Sequence, residues 1–276
     1  MTAKTRYEGS SRARGSAAVL LGFLLAGPID AVRADDLTWI VAPYLWASDV
    51  GVDLTVNNEP VLGTETAFRD LLDKLDMAFM GHVEVAGERF GGFFDVIYID
   101  LSDSQTVPVG PGDPIQGDIS ADGNIEMQVF ELGGFYRFPN QGGKTNFDIL
   151  FGVRQVNADL KVDLTFPGPI GATPALAIDN SETDILAGAR LVGRFNERWG
   201  YKARVDYAAG GSEGAINLLG AIGYTFGETG LFTLDFGYRY FNIEFEKSLG
   251  QTNLGEASAQ TDITMSGPLI GFIFEF

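Results

Sequence analysis

In the stretch Leu231-Phe232-Thr233-Leu234-Asp235-Phe236-Gly237-Tyr238-Arg239-Tyr240, every even position is large and apolar or aromatic, and the odd positions include Thr233, Asp235, Gly237 and Arg239. A period of two marks a strand, because successive side chains of extended backbone point to opposite faces. One face of this strand is aromatic and the other is charged.

The pattern spreads outward from there. Trp199, Tyr201, Ala203, Val205 and Tyr207 alternate with Gly200, Lys202, Arg204, Asp206 and Ala208. Ile185, Ala187, Ala189, Leu191 and Phe195 oppose Asp184, Gly188, Arg190 and Arg194, and Ile216 to Phe226 repeats the theme. Phe79, Val83 and Val85 oppose His82, Glu84 and Glu88, while Gly92 to Ser102 alternates only weakly. Leu37 to Ala47 reads as a first strand in spite of Pro43, which donates no ladder hydrogen bond. Ile125 to Phe138 changes phase near Val129 and Phe130, and Phe147 to Leu164 does so near Gln155 and Val156, so a β-bulge is expected in each. With a final strand at the C-terminus the count is about ten, an even number, with eight or twelve as alternatives.

Connections support an up-and-down arrangement. Tight turns at 88–91, 139–144, 196–200 and 227–230 alternate with longer segments at 57–76, 103–122, 165–181 and 247–261, the rhythm of short periplasmic turns and long external loops. The short connection at 210–214 breaks the rhythm. Val107 to Pro114 and Pro167 to Pro174 are rich in proline and glycine and read as loop. Phe68 to Asp76, with Leu71, Leu72 and Leu75 at helical spacing, reads as a short amphipathic helix lying in the barrel mouth or on lipid.

The N-terminus has the layout of a secretory signal peptide. Lys4, Arg6, Arg12 and Arg14 precede an apolar run from Ala17 to Ala26, and Val32-Arg33-Ala34 offers the small residues of a cleavage site. Cleavage is expected after Ala34, leaving residues 35–276 as one barrel domain. The apolar run is about half the ~20 residues that a membrane-crossing helix needs. If the remainder crosses a membrane, it does so with strands.

The formal charge is −18, and losing residues 1–34 makes it more acidic still. Nucleic acid is therefore not an expected partner, since phosphate recognition draws on clustered Lys and Arg. Acidic external loops facing an anionic lipid surface are better suited to divalent cations. No cysteine occurs, which removes disulfides, thiolate metal sites and a cysteine nucleophile.

A soluble barrel also alternates, with its apolar face inward. Two features favour the membrane. The polar face carries both signs of charge, suiting an interior where they pair. Trp39, Trp46, Trp199, Tyr201 and Tyr240 sit near strand ends, where aromatic belts meet the lipid boundary.

The chain finishes Gly271-Phe272-Ile273-Phe274-Glu275-Phe276. Here Phe276, Phe274 and Gly271 resemble the C-terminal signal by which outer-membrane barrels are recognised for insertion; Leu269 and Pro268 depart from that pattern. Ala42 to Ala47, Met80 to Glu84 and Asp95 to Ser102 also look like a group of porin-like outer-membrane proteins, and more broadly the chain is similar to small barrels of the OmpA and OmpW type. The resemblance implies an all-β transmembrane barrel in the outer membrane, with outer-membrane lipid and lipopolysaccharide around it and the barrel-assembly machinery as a partner during biogenesis. It supplies no catalytic residues.

Candidate chemistry is sparse. His82 beside Glu84 is the single histidine, and no nucleophile signature accompanies it, so an enzyme at the outer rim is the alternative to a non-enzymatic barrel. Asp118 to Gly123 opens like a calcium loop, yet position twelve is Val129 where a bidentate Glu belongs, so neither metal nor cofactor is expected. Asp148, Arg154, Arg190, Arg194, Lys202, Arg204, Asp206, Asp235 and Arg239 are expected to face the lumen. They would line a narrow passage for small solutes or ions, or simply fill a closed barrel that displays its loops. About ten strands leave little free bore.

Overall fold

The computed structural model describes residues 37–56, 59–72, 74–109, 117–138, 143–166, 171–227, 230–252 and 255–276. The signal peptide expected at 1–34 lies outside them. In chain order the elements are β1 (Thr38–Trp46), β2 (Asp49–Val56), β3 (Glu59–Thr66), α1 (Phe68–Leu72), β4 (Leu75–Ala86), β5 (Phe90–Val109), β6 (Gly117–Arg137), β7 (Thr145–Phe166), β8 (Gly171–Arg194), β9 (Trp199–Ala209), β10 (Gly214–Phe226), β11 (Phe232–Thr252) and β12 (Gly255–Glu275).

Ten of these strands form a closed antiparallel ring, β1 followed by β4 to β12, shut by pairing of β1 with β12. The ten expected strands are therefore the ring, and β2 and β3 lie outside it. Closure uses the last residue: the Phe276 amide donates to the Trp39 carbonyl at 2.9 Å, and the Trp39 amide returns a bond of 3.0 Å. The β1–β12 ladder pairs Val41 with Phe274, omits Ala42 and Pro43, and resumes at Tyr44 with Gly271, so the proline sits where the ladder is interrupted.

The expected bulges at 129/130 and 155/156 are absent. Val129 pairs with Val156 and Phe130 with Gln155 in continuous register along β6 and β7. What changes there is the surroundings of the strand. In β7 the inward residues run Asp148, Leu150, Gly152, Arg154, Val156, and the outward ones Phe147, Ile149, Phe151, Val153, Gln155, Asn157. In β11 Arg239 points inward, as do Phe241, Ile243 and Phe245 beyond it, while the outward face passes from Tyr238 and Tyr240 to Asn242, Glu244 and Glu246. Each strand leaves lipid at that level. Below it the apolar face is outside against hydrocarbon and the polar face inside; above it water lies outside and the apolar face turns in to make a core.

The segments expected to be long loops are largely strand. β5 continues to Val109, β6 begins at Gly117, β7 and β8 reach Phe166 and Gly171, and β11 and β12 meet at Thr252 and Gly255. Pro108 is paired with Asp118, and Pro174 with Asp163 beside a register shift at Val162/Asp163, where the sheet tolerates a missing N–H. Because β4 starts at Leu75 and β9 and β10 stop near Gly210, the outer part divides into two sheets, β5 to β8 and β11–β12–β2–β3.

The aromatic belt lies at the periplasmic rim. Phe90, Tyr136, Phe138 and Phe147 form one chain of ring contacts, with centroids 5.1–5.5 Å apart. Trp199, Tyr224, Phe226, Phe232 and Phe274 form another, at 4.8–5.6 Å. Between the belt and the level of inversion, Val41, Leu45, Val83, Phe94, Leu132, Ile149, Phe151, Val205, Leu218 and Phe236 stand exposed on the outer surface. So wide an apolar girdle on a closed barrel is a lipid-facing surface. Trp46 does not belong to it: the indole is buried inside, donating from Nε1 to the Gly267 carbonyl at 3.2 Å.

Candidate functional site

Inward positions below the inversion bring together one continuous hydrogen-bonded network. Glu131 accepts from Arg154 Nε and Nη2 and from Arg204 Nη2, at 3.0, 2.7 and 2.7 Å. Arg154 also reaches Asp206, which accepts from Arg204 Nε at 2.6 Å and Asn217 Nδ2 at 2.8 Å. Arg239 donates to Asn217 Oδ1 at 2.8 Å and to the Tyr44 hydroxyl at 3.1 Å, and that hydroxyl donates to Asp95 Oδ1 at 2.9 Å. Arg190 holds Glu84 and Asp148, and Asp148 also takes two bonds from Arg137. His82 links the halves, with Nδ1 3.1 Å from Asp95 and Nε2 3.4 Å from Glu84. Every ring strand except β12 contributes a side chain.

Aromatic rings cover the guanidinium groups. Arg190 lies 4.6 Å from the centroid of Phe135, Arg204 5.3 Å from Phe93, Arg154 5.2 Å from Phe241 and Arg239 5.2 Å from Trp46. Such contacts strengthen when water is excluded. Phe241 and Trp46 belong equally to the layer above, where Met80, Ile97, Ile99, Leu101, Met127, Val129, Val156, Ile243, Phe245 and Met265 make a buried apolar core. Helix α1 closes its side. Leu71 and Leu75 pack on this core, and Asp49 accepts from the Phe68 amide at 2.7 Å. The expected helix is thus shorter than 68–76 and seated in the mouth.

Of the charged residues expected in the lumen, Asp148, Arg154, Arg190, Arg204, Asp206 and Arg239 are in the network and buried. Lys202 and Asp235 line a small cavity below it, and Arg194 is exposed at the periplasmic mouth. Sequence reasoning missed Tyr44, Asp95, Glu131, Arg137 and Asn217. Asp95 and Glu131 stand beside inward Ile97, Ile99, Met127 and Val129, so their own strands showed no clean polar face. The one signal for them was stoichiometry: clustered inward arginines need carboxylates.

Two cavities open below the network. A vestibule of about 610 Å³ at the periplasmic end is bordered by Lys144, Arg194, Glu197, Lys202, Asp235 and Glu275. It shares Lys202, Asp235 and Ile273 with an inner cavity of about 80 Å³ that ends against Tyr44, His82, Asp95, Arg190, Arg204 and Arg239. His82 is therefore inside the barrel, beneath the apolar core, and not at the outer rim. Gly271 faces inward near Asp235, whereas Phe272, Phe274 and Phe276 face outward.

No protein-family model matches the sequence, and no curated protein matches it. Among solved structures the chain is similar to the outer-membrane protease OmpT from Escherichia coli, with a TM-score of 0.53 and 8% identity over 90% of this chain and 99% of that one. It is also similar to the translocator domain of the autotransporter NalP from Neisseria meningitidis, with a TM-score of 0.41 and 9% identity over 90% of each chain. For the outer-membrane protein OprG from Pseudomonas aeruginosa the TM-score is 0.36, with 9% identity over 87% and 96%. The likeness to OmpT is one of fold alone. With the lipid-facing girdle, that fold is an outer-membrane β-barrel.

Proposed function

We propose that this barrel is a sealed, non-enzymatic outer-membrane protein whose working surface is the pair of sheets raised outside the cell. The observation that carries this reading is the double seal across the bore: a charge-paired network tied to nine strands, with an apolar core directly above it. A hydrated path through the bore would have to break ion pairs and then cross a dry layer, each at a cost of several kcal/mol. Export with removal of residues 1–34, insertion guided by Gly271, Phe274 and Phe276, and a surrounding of outer-membrane lipid and lipopolysaccharide belong to the same reading.

Single-channel recording on protein purified from outer membranes tests it. The expected result is a silent bilayer at high protein density. Discrete steps whose ion selectivity shifts when Arg190, Arg194 and Arg204 are changed to Ala would overturn it in favour of the narrow passage.

A further inference from the structure

The inner cavity is unusual in what its walls leave unspent. Arg190, Arg204, Arg239, Lys202 and His82 line it, against only two carboxylates, Asp95 and Asp235. Arg190 and Arg204 are each bonded to two carboxylates that belong to the network. Arg239 is different. Its Nη2 is buried and has no hydrogen-bond acceptor among the described residues, with the nearest carboxylate oxygen, Glu131 Oε1, at 3.6 Å. Lys202 makes no ion pair within 4 Å among the described residues. Both ring nitrogens of His82 face carboxylate oxygens, at 3.1 and 3.4 Å, an arrangement in which an imidazolium would donate to both. A buried charged donor without an acceptor is costly, and such groups are normally satisfied by a partner that the protein atoms do not include.

We infer that the inner cavity is a binding site for a small monovalent anion, which enters from the periplasmic vestibule and is held between Lys202 at its mouth and Arg239 at its blind end. The size fits: about 80 Å³ accommodates a halide-sized ion together with several waters. The route is right as well, because the cavity shares Lys202, Asp235 and Ile273 with the vestibule and is shut above by the network. The lining explains selectivity. Asp95 is spent on Tyr44 and sits beside His82 and Arg239, and Asp235 is the one other carboxylate, facing Lys202, so that cationic side chains outnumber carboxylates on this wall. An ion bound here would tie β9 to β11 over the intervening β10 and add to the rigidity of the seal, a role beyond the closed-barrel reading and independent of the outer sheets.

Bromide is the probe. Crystals of the purified protein soaked in sodium bromide should give an anomalous peak within contact distance of Arg239 Nη2 and Lys202 Nζ. Replacing Lys202 with Met, which touches no member of the network, should abolish that peak while the fold remains. In detergent, bromide should raise the unfolding midpoint over sodium gluconate at matched ionic strength in the wild type, and this difference should vanish in K202M. A cavity holding only water, peaks confined to exposed Arg194, or a salt effect that K202M leaves intact would each overturn the proposal. Channel recordings do not bear on it, so its failure and that of the closed-barrel reading are separable.

Discussion

Glu131 Oε1 accepts from both Nε and Nη2 of Arg154, at 3.0 and 2.7 Å, and neither side chain reaches solvent. A pair of this kind is weak evidence of net stabilisation, since desolvating both charges offsets much of their attraction. Its removal in halves is another matter. Arg154→Met leaves Glu131 and Asp206 buried with less compensation and should destabilise the barrel by about 3–5 kcal/mol. Reversible urea unfolding in detergent measures this. The double variant R154M with E131Q should recover part of the loss, and a double-variant loss equal to the sum of the R154M and E131Q losses would show that the two residues act separately.

Phe241 is fully buried where the network meets the apolar core, with the Arg154 guanidinium 5.2 Å from its ring centroid on the network side and Ile97, Ile243 and Met265 in the core that it joins. Phe241→Ala should cost about 3–5 kcal/mol, from lost burial together with an unfilled cavity. The same unfolding assay reports it. A cost below about 1 kcal/mol would mean that the core above the network is loosely packed and the bore less well sealed than the geometry indicates.

The contrast between these two layers explains what was legible in the sequence. Strands β9 and β10, and β11 as far as Tyr240, announce themselves because they lie at the level of lipid, where outward Tyr207, Leu218 and Phe236 oppose inward Asp206, Asn217 and Asp235. In β6 and β7 the alternation never stops, but its meaning reverses near Val129 and Val156. A phase change in hydropathy looks the same whether the backbone bulges or the solvent changes, and periodicity alone has no term for the second. The loops were misjudged for a related reason. Pro108 and Pro174 are poor strand residues, yet both sit in the outer extensions, clear of the membrane.

Asp184 holds the short outer turn between β9 and β10. Its carboxylate accepts from the Gly211 amide at 2.9 Å, the Ser212 amide at 2.8 Å and the Ser212 hydroxyl at 2.7 Å. Gly210 has a φ of 142°, so the chain turns here with backbone that other residues rarely adopt. Asp184→Ala should free both amides, costing roughly 2–3 kcal/mol in local stability and accelerating hydrogen exchange at Gly211 and Ser212 about 30- to 150-fold. Unchanged exchange there would mean that the turn is held by its backbone alone.

On the outer face above the inversion, Asp100 pairs with Glu126 and Glu126 with Asp159, three carboxylates directly opposed across β5, β6 and β7. Like charges in that relation are destabilising. Glu126→Gln keeps the shape and the Gln128 neighbour while removing one charge. Stability should rise by about 0.2–1 kcal/mol at low ionic strength, and the gain should fade in molar salt, where the screening length is about 3 Å. A salt-independent gain would assign the effect to hydrogen bonding.

The sharpest test of the barrel's architecture is a cysteine scan along β7, feasible because the chain has no native cysteine. Continuous register predicts three classes. Cysteine at 149, 151 or 153 faces hydrocarbon, so a spin label there should be quenched by oxygen and shielded from water-soluble relaxants. At 155 and 157 the side chain is still outward, now in water, and should react with a membrane-impermeant maleimide. At 156 and 158 it points into the apolar core and should resist both reagents in folded protein. A bulge at Gln155/Val156 would exchange the last two classes, making 156 and 158 reactive and 155 and 157 protected. The scan therefore separates a strand that bends from a strand that crosses from lipid into water, and only the second is compatible with Val129 and Val156 facing each other inside a sealed bore.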